Sequence, residues 1–529
     1  MKIDPTLRAV AIAALMLGTA PAALFAETPA DTLVIADAID DIVSLDPHEA
    51  YEFSGLDVVN NTYDGLVELD PTKPGELVPG LAESWSVAED GTTYSFKMKS
   101  GVTFASGNPV TAADAAYSLQ RAVKLNKTPA FILNQFGWTA ETVDAMITAE
   151  GDMLTIKVDK PYAPTFLYNC MTSGVASIVD KALVEANAGE DMGNTWLKTN
   201  SAGSGAYVLR SFKPNEGYIL EANPTHWRGP AKTAKVFMQH VPEAATQRLQ
   251  LEKGDIDIAR ELTTTDVEGI GGNADIRIQQ DVGGQIFYLS FNQKDERFKN
   301  PAFLNAMRWA VDYNGMVDTF LKGTEVVHQS FLPKGYLGAL DDQPYKLDLE
   351  KAKAELAASG ITDTKIVLSV RNAADRMDMA QSIQNTFGQV GITVELKVGE
   401  GAEQLEEYRG RLHQATLQSW GPDYPDPNTN SSTFAENPGN ADEDKNTGYL
   451  AWRNAYDPGE MTAMSQAAVL ERDPAKRVEM YTELQKKHRE TSPFIVMFQI
   501  GYQTGLRANV MDFYTGGAID SAAYWLISK

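Results

Sequence analysis

Ile286-Phe287-Tyr288-Leu289-Ser290-Phe291, followed a few residues on by Asn300-Pro301, decides the class of this chain. An apolar run without alternation, short enough to be a strand, reads as one buried on both faces. Asn300 then offers a helix cap and Pro301 the fixed φ of a first turn. Leu304, Met307 and Val311 mark one face of the helix that follows. A buried strand feeding an amphipathic helix is the building unit of an α/β protein.

The pattern repeats outward. Downstream, Leu349, Ala352 and Leu356 mark a helix closed by Gly360, and Ile366 to Val370 reads as a strand. Met379 to Val390 is helical, Gly391 ends it, and a strand follows from Ile392 to Val398. A helix from Asp473 to Glu490 leads to the apolar run Phe494 to Phe498. Upstream, a Gly-rich turn opens a hairpin over Gly203 to Glu221. Glu243 to Leu251 is helical and ends at Lys253-Gly254, with Ile256 and Ile258 starting another strand. Thr93 to Lys99 alternates, placing Tyr94, Phe96 and Met98 on one face, as a half-buried strand requires. A turn at Ser106 to Pro109 follows, and Thr111 with Asp114 forms a capping-box start for a helix over Ala112 to Val123. Residues Glu436 to Gly448 are polar and read as a surface loop. There is no short repeat.

At 529 residues the chain exceeds what one core accommodates, about 250–300 residues, so two or more lobes are expected. Hydrophobic residues at 43% and charged residues at 22% are ordinary for a folded soluble protein. The net charge of −25 repels phosphate backbones and anionic lipid, which argues against nucleic-acid or membrane-surface binding. The lone cysteine, Cys170, excludes an internal disulfide and reads as a small buried side chain. Residues 1–26 read as an export signal. Lys2 and Arg8 precede an Ala/Leu-rich run that is too short, and too interrupted by Pro21, to span a membrane. Cleavage is placed near Ala26, with Leu24 at the less usual −3 position, and no nearby cysteine permits a lipoprotein.

Several blocks occur in an order that resembles family 5 extracellular solute-binding proteins, the peptide-type receptors of ABC importers. They are Leu81-Ala82-Glu83-Ser84-Trp85, Asp90-Gly91, Tyr94-Ser95-Phe96, Gly101 to Phe104 and Pro109 to Asp114. Gly203 to Tyr207, Asn223 with His226-Trp227-Arg228-Gly229, and Lys253 to Asp257 continue the series. Asn292, Arg308, Asp312, Arg477, Tyr481 and Pro493 complete it. The resemblance covers nearly the whole chain after the signal. It implies an α/β, two-lobed periplasmic-binding-protein fold with hinge strands and an extra β-rich inserted domain. Lobe I would combine residues 27–58, 200–280 and 497–529. The inserted domain II would span 59–199 and lobe III 281–496, with the runs at Ile286 and Phe494 as the crossing strands.

A peptide enclosed between lobes loses its water, so its ammonium and carboxylate need partners. The resemblance places Asp423, in Ser419-Trp420-Gly421-Pro422-Asp423-Tyr424, where such receptors bind the amino terminus. Asp426 is left to the Pro-rich turn. Arg371 lies near the position of a carboxylate-binding Arg in dipeptide receptors, although Asn372-Ala373-Ala374-Asp375 departs from their pattern. A solvated loop Arg is the other reading. Trp420, Tyr51 and Tyr502 are the aromatic wall candidates, and ordinary packing competes for the two tyrosines. His48, in Asp46-Pro47-His48, reads as a turn residue, because the six His show no metal-ligand spacing.

The expected protein is a monomeric periplasmic receptor without cofactor, metal or catalytic residue. It would take a small peptide or similar zwitterion and deliver it to an inner-membrane ABC permease. An opine, oligosaccharide, metal complex or haem is the alternative cargo. A secreted hydrolase is the alternative class, against which stands the absence of G-x-S-x-G, S-x-x-K, H-E-x-x-H and C-x-x-C.

Overall fold

The computed structural model describes residues 28–515 and 521–529, so the export-signal reading lies outside the described residues. An eleven-stranded mixed sheet runs through the molecule. Thr393–Gly399, Lys365–Arg371 and Ala415–Trp420 lie on one side of a central pair, Ile276–Phe291 and Phe494–Arg507. Ile258–Ala259, Thr32–Asp37, Lys235–His240 and the hairpin strands Gly217–Ala222 and Tyr207–Lys213 continue on the other side, and the short strand Glu325–Val327 pairs with Phe494–Arg507 off this path.

The Ile286 run is buried on both faces, as its composition predicts. Phe287, Leu289 and Phe291 join one hydrophobic cluster with Met307, Ile383 and Met497. Ile286 and Tyr288 join another with Phe434, Tyr481 and Phe494. The strand is nonetheless longer than the run. It begins at Ile276, where Arg277, Gln279 and Asp281 face partly outward and hide it from an apolar count. It pairs antiparallel with Phe494–Arg507, but the register breaks between Val282 and Ile286, across Gly283-Gly284.

A separate core gathers residues between Leu66 and Ile178, together with Tyr424 and Val469. It includes a four-stranded antiparallel sheet in the order Ala82–Val87, Thr93–Met98, Met153–Lys157, Ile147–Glu150. Tyr94, Phe96 and Met98 point into it.

Local chemistry sets the helix ends. Asn300 Oδ1 accepts from the amides of Ala302 (3.0 Å) and Phe303 (3.3 Å) at the start of Pro301–Ala310. Thr111 and Asp114 form a reciprocal capping box on Ala112–Leu125. Gly360 and Gly391 end Leu349–Ser359 and Ala374–Val390 at φ 69° and 95°, where a side chain would be strained.

Two expectations change. The strand expected from Ile256 shrinks to Ile258–Ala259. The polar segment from Glu436 to Gly448 does not begin at the surface. Glu436 and Asn437 are buried, and Ser465 Oγ donates to Glu436 at 2.7 Å. Among the described residues no helix is long and apolar enough to cross a membrane. Cys170 is buried, and burial pushes its thiol well above the ordinary range.

Candidate functional site

A cavity of about 300 Å³ opens where the central strand pair breaks register. Residues between 50 and 71, between 129 and 132, and between 172 and 177 line it, with Ala522, Ala523 and Trp525. Gln285, Gly421, Pro422 and Asp423 close it from the other side.

The loop bearing Asp423 is fixed by its own sequence. Strand Ala415–Trp420 pairs with Ile286–Phe291 as far as Trp420, and Pro422, Pro425 and Pro427 deny the chain amides for further pairing. Asp426 does more than turn the chain. It caps Asn428 (3.0 Å) and accepts two bonds from the Arg477 guanidinium, 2.8 Å from Nη1 and 2.7 Å from Nη2. Both partners are almost wholly buried. Asn169 also donates to it at 3.3 Å, and Tyr424 packs 5.9 Å from Phe166, so the loop is bound to the core that contains residues 66–178.

Asp423 thus reaches the cavity from a rigid base. Its amide donates to Thr429 Oγ1 (2.9 Å), and Tyr51 O–H donates to its Oδ1. Burial pushes the Asp423 carboxyl up to about 6, against the pull of the Tyr51 and Thr429 hydrogen bonds. Burial and the neighbouring Asp423 charge raise the Tyr51 phenol in turn. Tyr51 and Asp423, 372 residues apart in sequence, therefore form one unit.

The other three predicted residues stand away from the cavity wall. Trp420 is half-buried opposite Ile286, its ring 5.9 Å from the Arg453 guanidinium and its indole N–H without a partner. Arg371 is exposed at the end of Lys365–Arg371. The better-enclosed base there is Arg376, which donates to Ser419 Oγ at 3.0 Å and lies 4.3 Å over Phe287. Tyr502 is half-buried opposite Asp281. His48 lies in a turn, as its sequence reads, and its side chain is buried. Its ring is fully buried between Arg121 Nη1 (2.7 Å) and the Ser177 carbonyl (3.1 Å), and burial lowers its pKa to about 4.

Residues not anticipated from sequence complete the wall. Phe53, Tyr63 and Trp525 supply apolar surface. Ser173 is buried, with its hydroxyl unpartnered. Glu68 pairs one oxygen with Arg228, while Oε1 is buried and unpartnered. No sequence motif singles out Ser173 or Glu68, because their roles follow from which segments meet.

The profile of bacterial extracellular solute-binding proteins, family 5, middle part, matches residues 76–442. The chain is 28% identical over 507 residues to the "Probable D,D-dipeptide-binding periplasmic protein" of Escherichia coli K12, covering 94% of each. It is 25% identical over 448 residues to the dipeptide-binding protein of the same organism, covering 80% of this chain and 81% of the relative. In structure it resembles HbpA2 from Haemophilus parasuis with a TM-score of 0.78 and 22% identity, covering 94% and 99% of the two chains. The fold is that of two-lobed periplasmic binding proteins, and the relatives are substrate-binding transport proteins, not enzymes. The chain belongs to the family 5 bacterial extracellular solute-binding proteins.

Proposed function

We propose that this chain is a monomeric periplasmic receptor of an ABC importer that captures short peptides by their amino terminus, closes around them and delivers them to an inner-membrane permease. The carrying observation is Asp423, a carboxylate held at the wall of a largely apolar cavity by Tyr51 and Thr429. A buried carboxylate strongly favours an ammonium partner. The dipeptide-binding names of two relatives support the same reading. In the proposed division, residues 27–58, 200–280 and 497–529 form lobe I, 59–199 an inserted domain and 281–496 lobe III. Thermal-shift measurements with peptide, sugar and opine panels test the cargo. Peptides should raise the melting temperature, and a response to sugars alone would overturn the reading.

A further inference from the structure

Two large apolar side chains stand beside Asp423 with much of their surface uncovered. Phe53 lines the cavity and is 41% exposed. Its ring reaches toward the Asp423 loop. A methyl group added to Gly421 would lie 3.7 Å from Phe53 Cζ, and Gly421, Pro422 and Asp423 line the cavity in succession. Phe131 is 42% exposed and stands in sequence between the lining residues Pro129 and Ile132. It meets the Tyr51 ring edge to face, with centroids 6.3 Å apart, and Tyr51 O–H donates to Asp423 Oδ1. Each phenylalanine is therefore tied to the carboxylate through one neighbour, Gly421 for Phe53 and Tyr51 for Phe131.

Single apolar side chains scattered over a surface are ordinary, but two that converge on one carboxylate are not scattered. Their exposed faces gain hydrophobic free energy only when an apolar group covers them. The carbon that bears a peptide's ammonium also bears its first side chain, so an ammonium held at Asp423 brings that side chain to these rings. In an extended peptide the next residue begins about 3.8 Å further on, and its side chain points to the opposite side. An aromatic first side chain gains more than its covered area, because offset or edge-to-face ring contacts add to it.

We propose that Phe53 and Phe131 set the identity of the cargo's amino-terminal residue, selecting a peptide whose first side chain is large and apolar, best of all aromatic. That side chain covers the exposed face of Phe53, with the Tyr51–Phe131 pair beside it. This rests on the assignment of Asp423 to the ammonium.

The test compares phenylalanyl-alanine, alanyl-phenylalanine and seryl-alanine by titration calorimetry on ligand-stripped protein. Phenylalanyl-alanine should bind roughly tenfold or more tightly than either of the others. Phe53→Ala should cut that preference severalfold, and Phe131→Ala should cut it by a smaller factor, because Phe131 acts through Tyr51. Both substitutions replace exposed side chains, so the fold should persist, and a thermal transition checks it for each variant. Equal or tighter binding of alanyl-phenylalanine, or a preference unchanged in both variants, overturns this proposal and leaves the peptide reading standing. Failure of all three dipeptides to bind the unaltered protein, with an intact thermal transition, overturns both.

Discussion

Asp423 titrates near 6, so its charge changes in mildly acidic surroundings. An ammonium ligand needs the ionised form. Affinity is therefore expected to level off above about pH 7 and to fall roughly tenfold per unit below about 6, until the lower pKa of the complex is reached. Calorimetry across that range checks this, and a flat profile would count against the role of Asp423. The sign for stability is the reverse of that for a paired carboxylate. The folded value lies above the ordinary 3.8, so this group stabilises the ligand-free protein at low pH, and the contribution is lost as pH rises through about 6. Asp423→Asn should remove that slope and weaken ligand binding by about 2 kcal/mol or more. Urea titrations of the ligand-free variant at several pH values measure the first effect.

At the scale of elements, the 421–427 loop depends on the buried Asp426–Arg477 pair. Asp426→Asn should cost about 3–5 kcal/mol, since it leaves a buried guanidinium without its counter-charge. Replacing both partners by apolar residues should cost less than either single change, which denaturant midpoints can read. The two kinds of feature differ in how legible they were. Asn300, Thr111 and Asp473 act on amides within three residues, so spacing alone exposes them. Asp426 meets Arg477 across 51 residues and Asp46 meets Arg121 across 75, and only the fold brings them together. The Ile286 half of its strand was readable because both faces are buried. The Ile276 half was not, because its outward side chains are polar. The family resemblance points to Asp423, which lines the cavity, whereas the lining residues Glu68 and Ser173 have no local signature.

For the whole molecule, the break between Val282 and Ile286 lies on the two strands that join the two sides of the sheet, beside the cavity residue Gln285. Closure about such a joint should reduce the radius of gyration when ligand binds, and small-angle scattering with and without ligand measures it. An unchanged radius would argue for a rigid receptor. The burial of Cys170 bears on how that motion could be watched. The sole thiol of the chain is enclosed and resists ionisation, so a maleimide dye should find no target on the folded protein. Phe53 lines the cavity and is 41% exposed, and a methyl group added to Gly421 opposite would lie 3.7 Å from its ring. A cysteine introduced there would be the one reactive handle, and an environment-sensitive fluorophore on it would turn the receptor into an optical sensor for its own cargo.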